Sequence, residues 1–248
     1  MSKATLALLV VCAVLLPGAG EQISREAIVI RSDLEFTAEN GVVSGAGLHG
    51  DPYVIEGWDI DAAGGSYGIL IHGTTRPFVI RDVSIRGARK AGVRLTQTRD
   101  GRIRDVDIAG CTTGIYINMA SHITLRELSI RQCEDGIRIL FSSELKVDRV
   151  YIEHCQAGLW ASGVTELVMQ GSTVRSSNIG VRLELSSQEN TVAENAFFDC
   201  RIPAYSEGGG NRFHLDERGN YWEGHDASIP YPVDGGEDED PFPLVSPP

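Results

Sequence analysis

Positive charge is scarce in this chain of 248 residues: Lys and Arg number 22 against 34 Asp and Glu, a formal charge of -12. Nucleic acid and anionic membrane surfaces both require a basic footprint, so neither is expected as a partner. A sustained 3.6-residue apolar period is also missing, which excludes helical bundles and coiled coils. No Gly-rich phosphate loop, zinc-type Cys/His spacing or Ser-His-Asp arrangement stands out. The six histidines, His49, His72, His122, His154, His214 and His225, share no common spacing.

The one long apolar run is at the start. "MSKATLALLVVCAVLLPGAG" carries Lys3, an apolar stretch from Leu6 to Leu16, then Pro17 and small residues to Gly20. This is the pattern of a cleaved export signal over residues 1-20. It is too short to span a bilayer, so no membrane span is expected once it is removed. Val11 before Cys12 argues against a lipid-anchored cysteine. The expected location is therefore periplasmic, cell-surface or extracellular, and loss of Lys3 takes the formal charge to -13.

What the remaining chain has is an interval. "CTTGIYI", "CEDGIRI" and "CQAGLWA" begin at Cys111, Cys133 and Cys155, and glycines recur at Gly92, Gly114, Gly136, Gly158 and Gly180, each 22 residues from the last, with Gly68 one longer step before. A second phrase rides on the first: "VIEGWDI", "VIRDVSI", "RIRDVDI", "TLRELSI", "KVDRVYI", "VMQGSTV". Both alternate apolar and polar residues and are rich in Val and Ile, as half-buried strands are.

Two or three short strands per 22-residue unit describe one coil of a parallel β-helix. Coils stacked at the strand spacing of about 4.8 Å pool their apolar sides into one core, and roughly eight of them give a rod of roughly 40 Å. The expected fold is all-β, a single-stranded right-handed parallel β-helix, over residues 21-222, followed by an acidic, Pro-rich cap and tail at 223-248. Ile69, Val93, Ile115, Ile137, Leu159 and Val181 should form one inward column, Ile71, Leu95, Ile117 and Ile139 a second, and Ile85, Ile108, Ile130, Ile152 and Val174 a third. The repeated glycine is expected where the chain bends sharply or takes a positive φ. Trp58 and Trp222 are read as end plugs, and Glu237 to Asp240 as a solvated, mobile acidic run.

Cys111, Cys133 and Cys155 would share a column with Ser177, and with Cys200 a coil later. As small buried side chains they fill a corner. A disulfide is the alternative for an exported protein, since the coil spacing suits its Cα separation, and a Cu(I) site is the sharper one, since thiolates select that ion.

The position two after each glycine lies between inward residues and should face solvent. Reading along it gives Leu70, Arg94, Tyr116, Arg138, Trp160, Arg182 and, after Pro203, Tyr205. Such a strip is either a surface ladder in which guanidinium groups stack on rings, or a platform for an extended ligand, with Arg forking carboxylate or sulfate groups. Arg94, Tyr116, Arg138, Trp160, Arg182 and Tyr205 are the candidate binding residues. No catalytic residue can be named: the outward column Asp59, Ser84, Asp107, Ser129, Tyr151 and Thr173 alternates acids with hydroxyls and forms no cluster. Arg81 with Asp82, Arg104 with Asp105, Arg126 with Glu127 and Asp148 with Arg149 read as surface ion pairs, and Asn190 and Asn195 as turn and hydrogen-bonding residues.

"DPYVIEGWDI", the repeated "GI-x-I" coils and the terminal "GNYW" resemble the NosD-like group of right-handed parallel β-helix proteins, among carbohydrate-binding and sugar-hydrolase repeats, from about Ile28 to Leu244. That resemblance implies a periplasmic accessory role in maturing a copper enzyme of the nitrous oxide reductase type, with a copper-enzyme assembly complex as partner; copper enters by resemblance alone, and no metal ligand or other cofactor is assigned. The residues themselves favour a non-catalytic scaffold that binds an extended, anionic polysaccharide or a cell-envelope component, with a polysaccharide lyase or glycoside hydrolase as the enzymatic alternative.

Overall fold

The computed structural model describes residues 22–184, 186–207 and 209–248; the expected export signal lies outside them. Eight parallel strands, Ile28–Ile30, Tyr67–His72, Ala91–Thr96, Thr113–Asn118, Asp135–Leu140, Ala157–Ser162, Ile179–Glu184 and Ile202–Ser206, stack into one sheet, the front of the rod. A second sheet of 13 strands makes the rest of the wall. Its middle members, such as Phe78–Arg86 and Gly101–Ala109, bend at Asp82 and Asp105, so each coil has three sides. Among the described residues the only helical element is the 3-10 turn Asp33–Glu35.

The chain is a β-solenoid of about eight turns, with the expected registers. Val93 pairs with Ile115, Ile115 with Ile137, and Ile137 with Leu159. All of the first two inward columns are fully buried, and they continue to Ile28 and Ile30 at one end and to Ala204 and Ser206 at the other. Each fully buried aliphatic side chain removes enough apolar surface to contribute about 1.5–3 kcal/mol. A lone coil leaves both its edges unpaired, so the stack is the folding unit.

The repeated glycine has a different cause from the one expected. Gly68, Gly92, Gly114, Gly136, Gly158 and Gly180 are not in the left-handed region. A Cβ on Gly136 would sit 2.5 Å from the carbonyl oxygen of Gly158 and 2.7 Å from Ile152 Cγ2, and the column repeats that crowding from coil to coil. Close approach of backbone to backbone, with the third aliphatic column pressed behind it, is what requires glycine. Positive φ runs in four other columns, at the corners, and is carried largely by ordinary side chains: Asp82, Asp105, Glu127 and Arg149 in one, Gln132, His154, Ser176 and Asp199 in another.

The ends close with aromatic stacks. Phe36 lies on Tyr53 at 4.5 Å and beside Phe78 at 6.1 Å, while Trp58, half-buried, donates from Nε1 to Gly41 O under the Arg25 guanidinium. At the other end Phe197, Trp222 and Tyr231 stack at 4.7 and 4.0 Å. Burial pushes the Tyr231 hydroxyl up to about 12.

The acidic run near the C-terminus is not uniformly solvated. Glu239–Asp240 pairs antiparallel with Tyr231–Pro232, and Asp240 is fully buried. Its carboxylate accepts from Asn220 N, Trp222 Nε1 and Phe242 N at 2.7, 2.9 and 3.0 Å. The last coil leaves its upper donors unpaired, and a buried carboxylate with three donors satisfies them. Asn190 and Asn195 prove to be interior: Asn195 accepts from Ser172 N and donates to Met169 O and Asn220 Oδ1. Arg104 with Asp105, Arg126 with Glu127 and Arg149 with Asp148 pair as expected, Arg149 also reaching Glu127 and Arg126 reaching Asp148 across coils, while Arg81 leaves Asp82 for Glu56 on the preceding coil.

Candidate functional site

Alternation along each front strand sends the residue between two inward aliphatics outward. Arg94, Tyr116, Arg138, Trp160, Arg182 and Tyr205 accordingly fall in one column, each paired in register with the next. All six are half-buried, whereas Leu70, the residue before Arg94, is buried. At the coil spacing the row from Arg94 to Tyr205 extends about 24 Å.

The row is tightly self-stacked. Arg94 lies over Tyr116 at 4.6 Å, Arg138 over Trp160 at 4.0 Å, and Arg182 over Trp160 and Tyr205 at 5.2 and 5.5 Å. Trp160 thus has a guanidinium group against each face. Contacts of this kind contribute about 0.5–1 kcal/mol each at exposed sites. Their geometric effect matters more: both faces of Trp160 and one face each of Tyr116 and Tyr205 carry a guanidinium group, and Arg138 Nε and Arg182 Nε are buried within the row.

Neighbouring columns tune the charge. Asp135, in register with Thr113 and Ala157, is 8% exposed, and burial pushes its carboxyl pKa upward against the pull of Arg138, whose Nη1 lies 3.4 Å away. Glu184 is 9% exposed, accepts from Trp160 Nε1 at 2.9 Å and pairs with Arg182. Arg94 has neutral partners, Tyr67 Oη at 3.1 Å and Thr96 Oγ1 at 3.3 Å. Tyr67 was missed by sequence reading because it stands three residues ahead of the strip position. Its signal was there nonetheless: an aromatic directly before Gly68, in register with Ala91. Phe141, 62% exposed at the corner beyond Leu140, was missed because it follows no apolar-polar alternation.

A surface recess of about 780 Å³ runs over the cysteine corner between Ala88 and Asn178, with Arg89, Gln132, Glu134 and His154 among its walls. Cys111, Cys133, Cys155 and Cys200 are free thiols, the first three buried. Each donates to the carbonyl two residues back, Ala109, Arg131, Glu153 and Phe198, at 3.4–3.5 Å. Ser177 makes the same contact with Arg175 O at 3.0 Å, which explains why hydroxyl and thiol interchange in this column. Burial pushes Cys155 and Cys200 up to about 11. Cys133 is pushed up by its hydrogen bond with Cys111 and by burial. Among the described residues no three His, Cys, Asp or Glu side chains converge as a metal site.

The family model described as periplasmic copper-binding protein (NosD) matches residues 22–227. No curated protein matches the chain by sequence. Among solved structures, the complex of XylC with xylose superposes with a TM-score of 0.52 at 13% identity, over 65% of this chain and 36% of that one. The A-module of the Azotobacter vinelandii mannuronan C-5 epimerase AlgE6 gives 0.49 at 11%, over 65% and 62%. An alginate lyase from Paenibacillus sp. str. FPU-7 gives 0.42 at 9%, over 86% and 99%. The present chain thus spans about a third of XylC. The likeness to XylC, at 13% identity, speaks to the fold alone.

Proposed function

The chain belongs to the NosD family of parallel β-helix proteins, and from that premise we propose that it is an exported, non-catalytic scaffold that binds an extended glycan along the front sheet. The family's description is periplasmic, and among the described residues no helix is long and apolar enough to cross a membrane. One observation carries the reading: Arg94, Tyr116, Arg138, Trp160, Arg182 and Tyr205 form a continuous outward row, one residue per coil, with every guanidinium carbon 4.0–5.5 Å from the centre of a neighbouring ring.

A free Arg side chain carries about 2 kcal/mol of rotamer entropy. Here that freedom is already lost on folding, so a ligand meets pre-oriented donors and binding costs less. Because both faces of Trp160 are covered, sugar hydroxyls and acidic groups are received by guanidinium N–H edges, with ring edges supplying apolar contact. The row's length suits a chain of several sugar units lying along the rod. Support from outside the chain comes from the fold shared with XylC, whose solved complex holds xylose.

The second reading, accessory to a copper enzyme, is favoured by the family description. A resident copper ion would take thiolates, thioethers or imidazoles. The thiols here donate to backbone carbonyls, and Cys155 and Cys200 hold their protons up to about 11; Cys111 and Cys133 hydrogen-bond each other, which lowers Cys111 to about 7, but among the described residues no third His, Cys, Asp or Glu side chain converges on that pair. These residues do not fit such an ion, and no step is derived through one.

The test is retention on immobilised acidic and neutral polysaccharides, run beside a copper titration. Replacing Trp160 and Tyr116 by Ala removes the rings that hold three Arg planes and should lower retention about ten-fold or more, roughly 1.4 kcal/mol. Unchanged retention with intact folding removes the strip as the site, and tight copper binding without glycan retention transfers the function to the second reading.

A further inference from the structure

We propose that the strip is directional: Lys90 and Arg94, gathered about Tyr67, hold an anionic group of the bound glycan, and the uncharged remainder of the ligand runs from there toward Glu184 and Glu207. The proposal rests on the glycan reading and adds to it the ligand's charge pattern and orientation.

The three strip arginines differ in their counter-charges. Arg138 has Asp135 and Arg182 has Glu184 as ion-pair partners. Arg94 instead contacts a phenol and a threonine hydroxyl, and its guanidinium lies over two rings, Tyr67 at 5.4 Å and Tyr116 at 4.6 Å. Lys90 Nζ stands 5.9 Å from the Tyr67 ring. None of the ion pairs among the described residues involves Arg89, Lys90 or Arg94. On a chain with a formal charge of -12, what sets these three apart from its other unpaired cations is that they fall within six residues.

Their base is firm. Arg89 N and Lys90 N donate to Gly65 O and Ser66 O on one side, and Thr112 Oγ1 and Thr113 N donate to Arg89 O and Lys90 O on the other, so the segment is pinned between two coils. Arg89 and Lys90 are exposed, Arg89 lining the recess over the cysteine corner. A planar guanidinium fork beside a compact ammonium is the pairing that receives a carboxylate or sulfate group. At the far end Glu184 is buried and spent on Arg182 and Trp160 Nε1, which cancels the charge of Arg182, while the exposed Glu207 repels such a group and can accept hydroxyl hydrogens instead. The potential therefore falls along the row, and a ligand with its charge at one end has one favoured orientation.

Calorimetric titration with three oligosaccharides of equal length tests this: one with a single terminal uronate, one with a terminal sulfate ester in its place, and a neutral analogue. The expected result at low salt is that one or both acidic ligands bind about ten-fold more tightly than the neutral one, and that the advantage fades as salt screens it. The double variant Lys90→Gln/Arg94→Gln should cancel both the advantage and its salt dependence, Arg94→Lys should keep the salt dependence, and Lys146→Gln, on the other sheet, should change neither. Equal binding of all three ligands by the unaltered protein, or discrimination that survives in the double variant, overturns the directional strip while leaving the glycan reading intact. Binding of none of them overturns both.

Discussion

Gly136 and Phe141 stand five residues apart at opposite ends of one front strand, and each occupies a site where habit would put the other. Gly136 has an ordinary φ in a nearly flat strand, while Phe141 has φ 46 at a corner. The first cannot accept a single extra carbon because the next coil's backbone and Ile152 press on it. The second carries a phenyl ring in the left-handed region, a conformation that costs an L-residue roughly 1–2 kcal/mol, because the corner opens to solvent and the ring, 62% exposed, meets little. Crowding and dihedral strain are thus separate demands, and in this solenoid the crowded column is the one that excludes side chains.

The sharpest way to break this contrast is Gly136→Ala. Its Cβ would meet Gly158 O at 2.5 Å, and neither the backbone nor the packed Ile152 can yield without opening the coil spacing. A loss of roughly 3–5 kcal/mol is expected in denaturant unfolding; a loss under 1 kcal/mol would mean that the coils slide apart freely. A middling effect is expected at the thiols beside this corner, where a Cβ on Gly92 would touch Cys111 Sγ at 3.5 Å. Cys155 and Cys200, raised from 9.0 to about 11 by burial, bind their protons more tightly folded than unfolded. Their stabilising contribution is complete below pH 9 and is lost as pH rises through 11. Unfolding midpoints should fall across that window, the Cys155→Ser variant should show a shallower fall, and thiol reagents should label the folded protein slowly. The smallest effect is predicted for Phe141→Gly. It relieves the left-handed strain and adds freedom to the unfolded chain, two opposed terms of similar size, so stability should change by less than about 1 kcal/mol.

The inward columns were legible in the sequence because their interval is constant from Gly92 to Gly180, and a constant interval translates directly into register. The strip was legible for the same reason: Arg94, Tyr116, Arg138, Trp160 and Arg182 inherit the register of the glycines. What an interval cannot reveal is direction in space. That Trp160 lies face-on between two guanidinium groups, that Tyr67 completes the row from a different strand position, and that glycine answers a contact rather than a turn all depend on which way neighbours point. The C-terminal region was harder still. Asp240 sits in a run of acids that reads as solvated surface, and only the unpaired donors of Asn220 and Trp222 make one member of that run interior. Asn190 and Asn195 were expected at turns because asparagine usually serves there; their burial follows from backbone N–H groups of the preceding coil that need acceptors.

The aromatic lids have a last consequence. Phe36 with Tyr53 and Phe78 closes one mouth of the rod, and Phe197 with Trp222 and Tyr231 closes the other. Between them every storey has the same floor plan, so height is independent of the roof and the foundation. A tandem duplication of one whole storey would lengthen the outer row of cations and rings by one rung while leaving both closures as they are, which makes reach, rather than shape, the property such a lineage can adjust most cheaply.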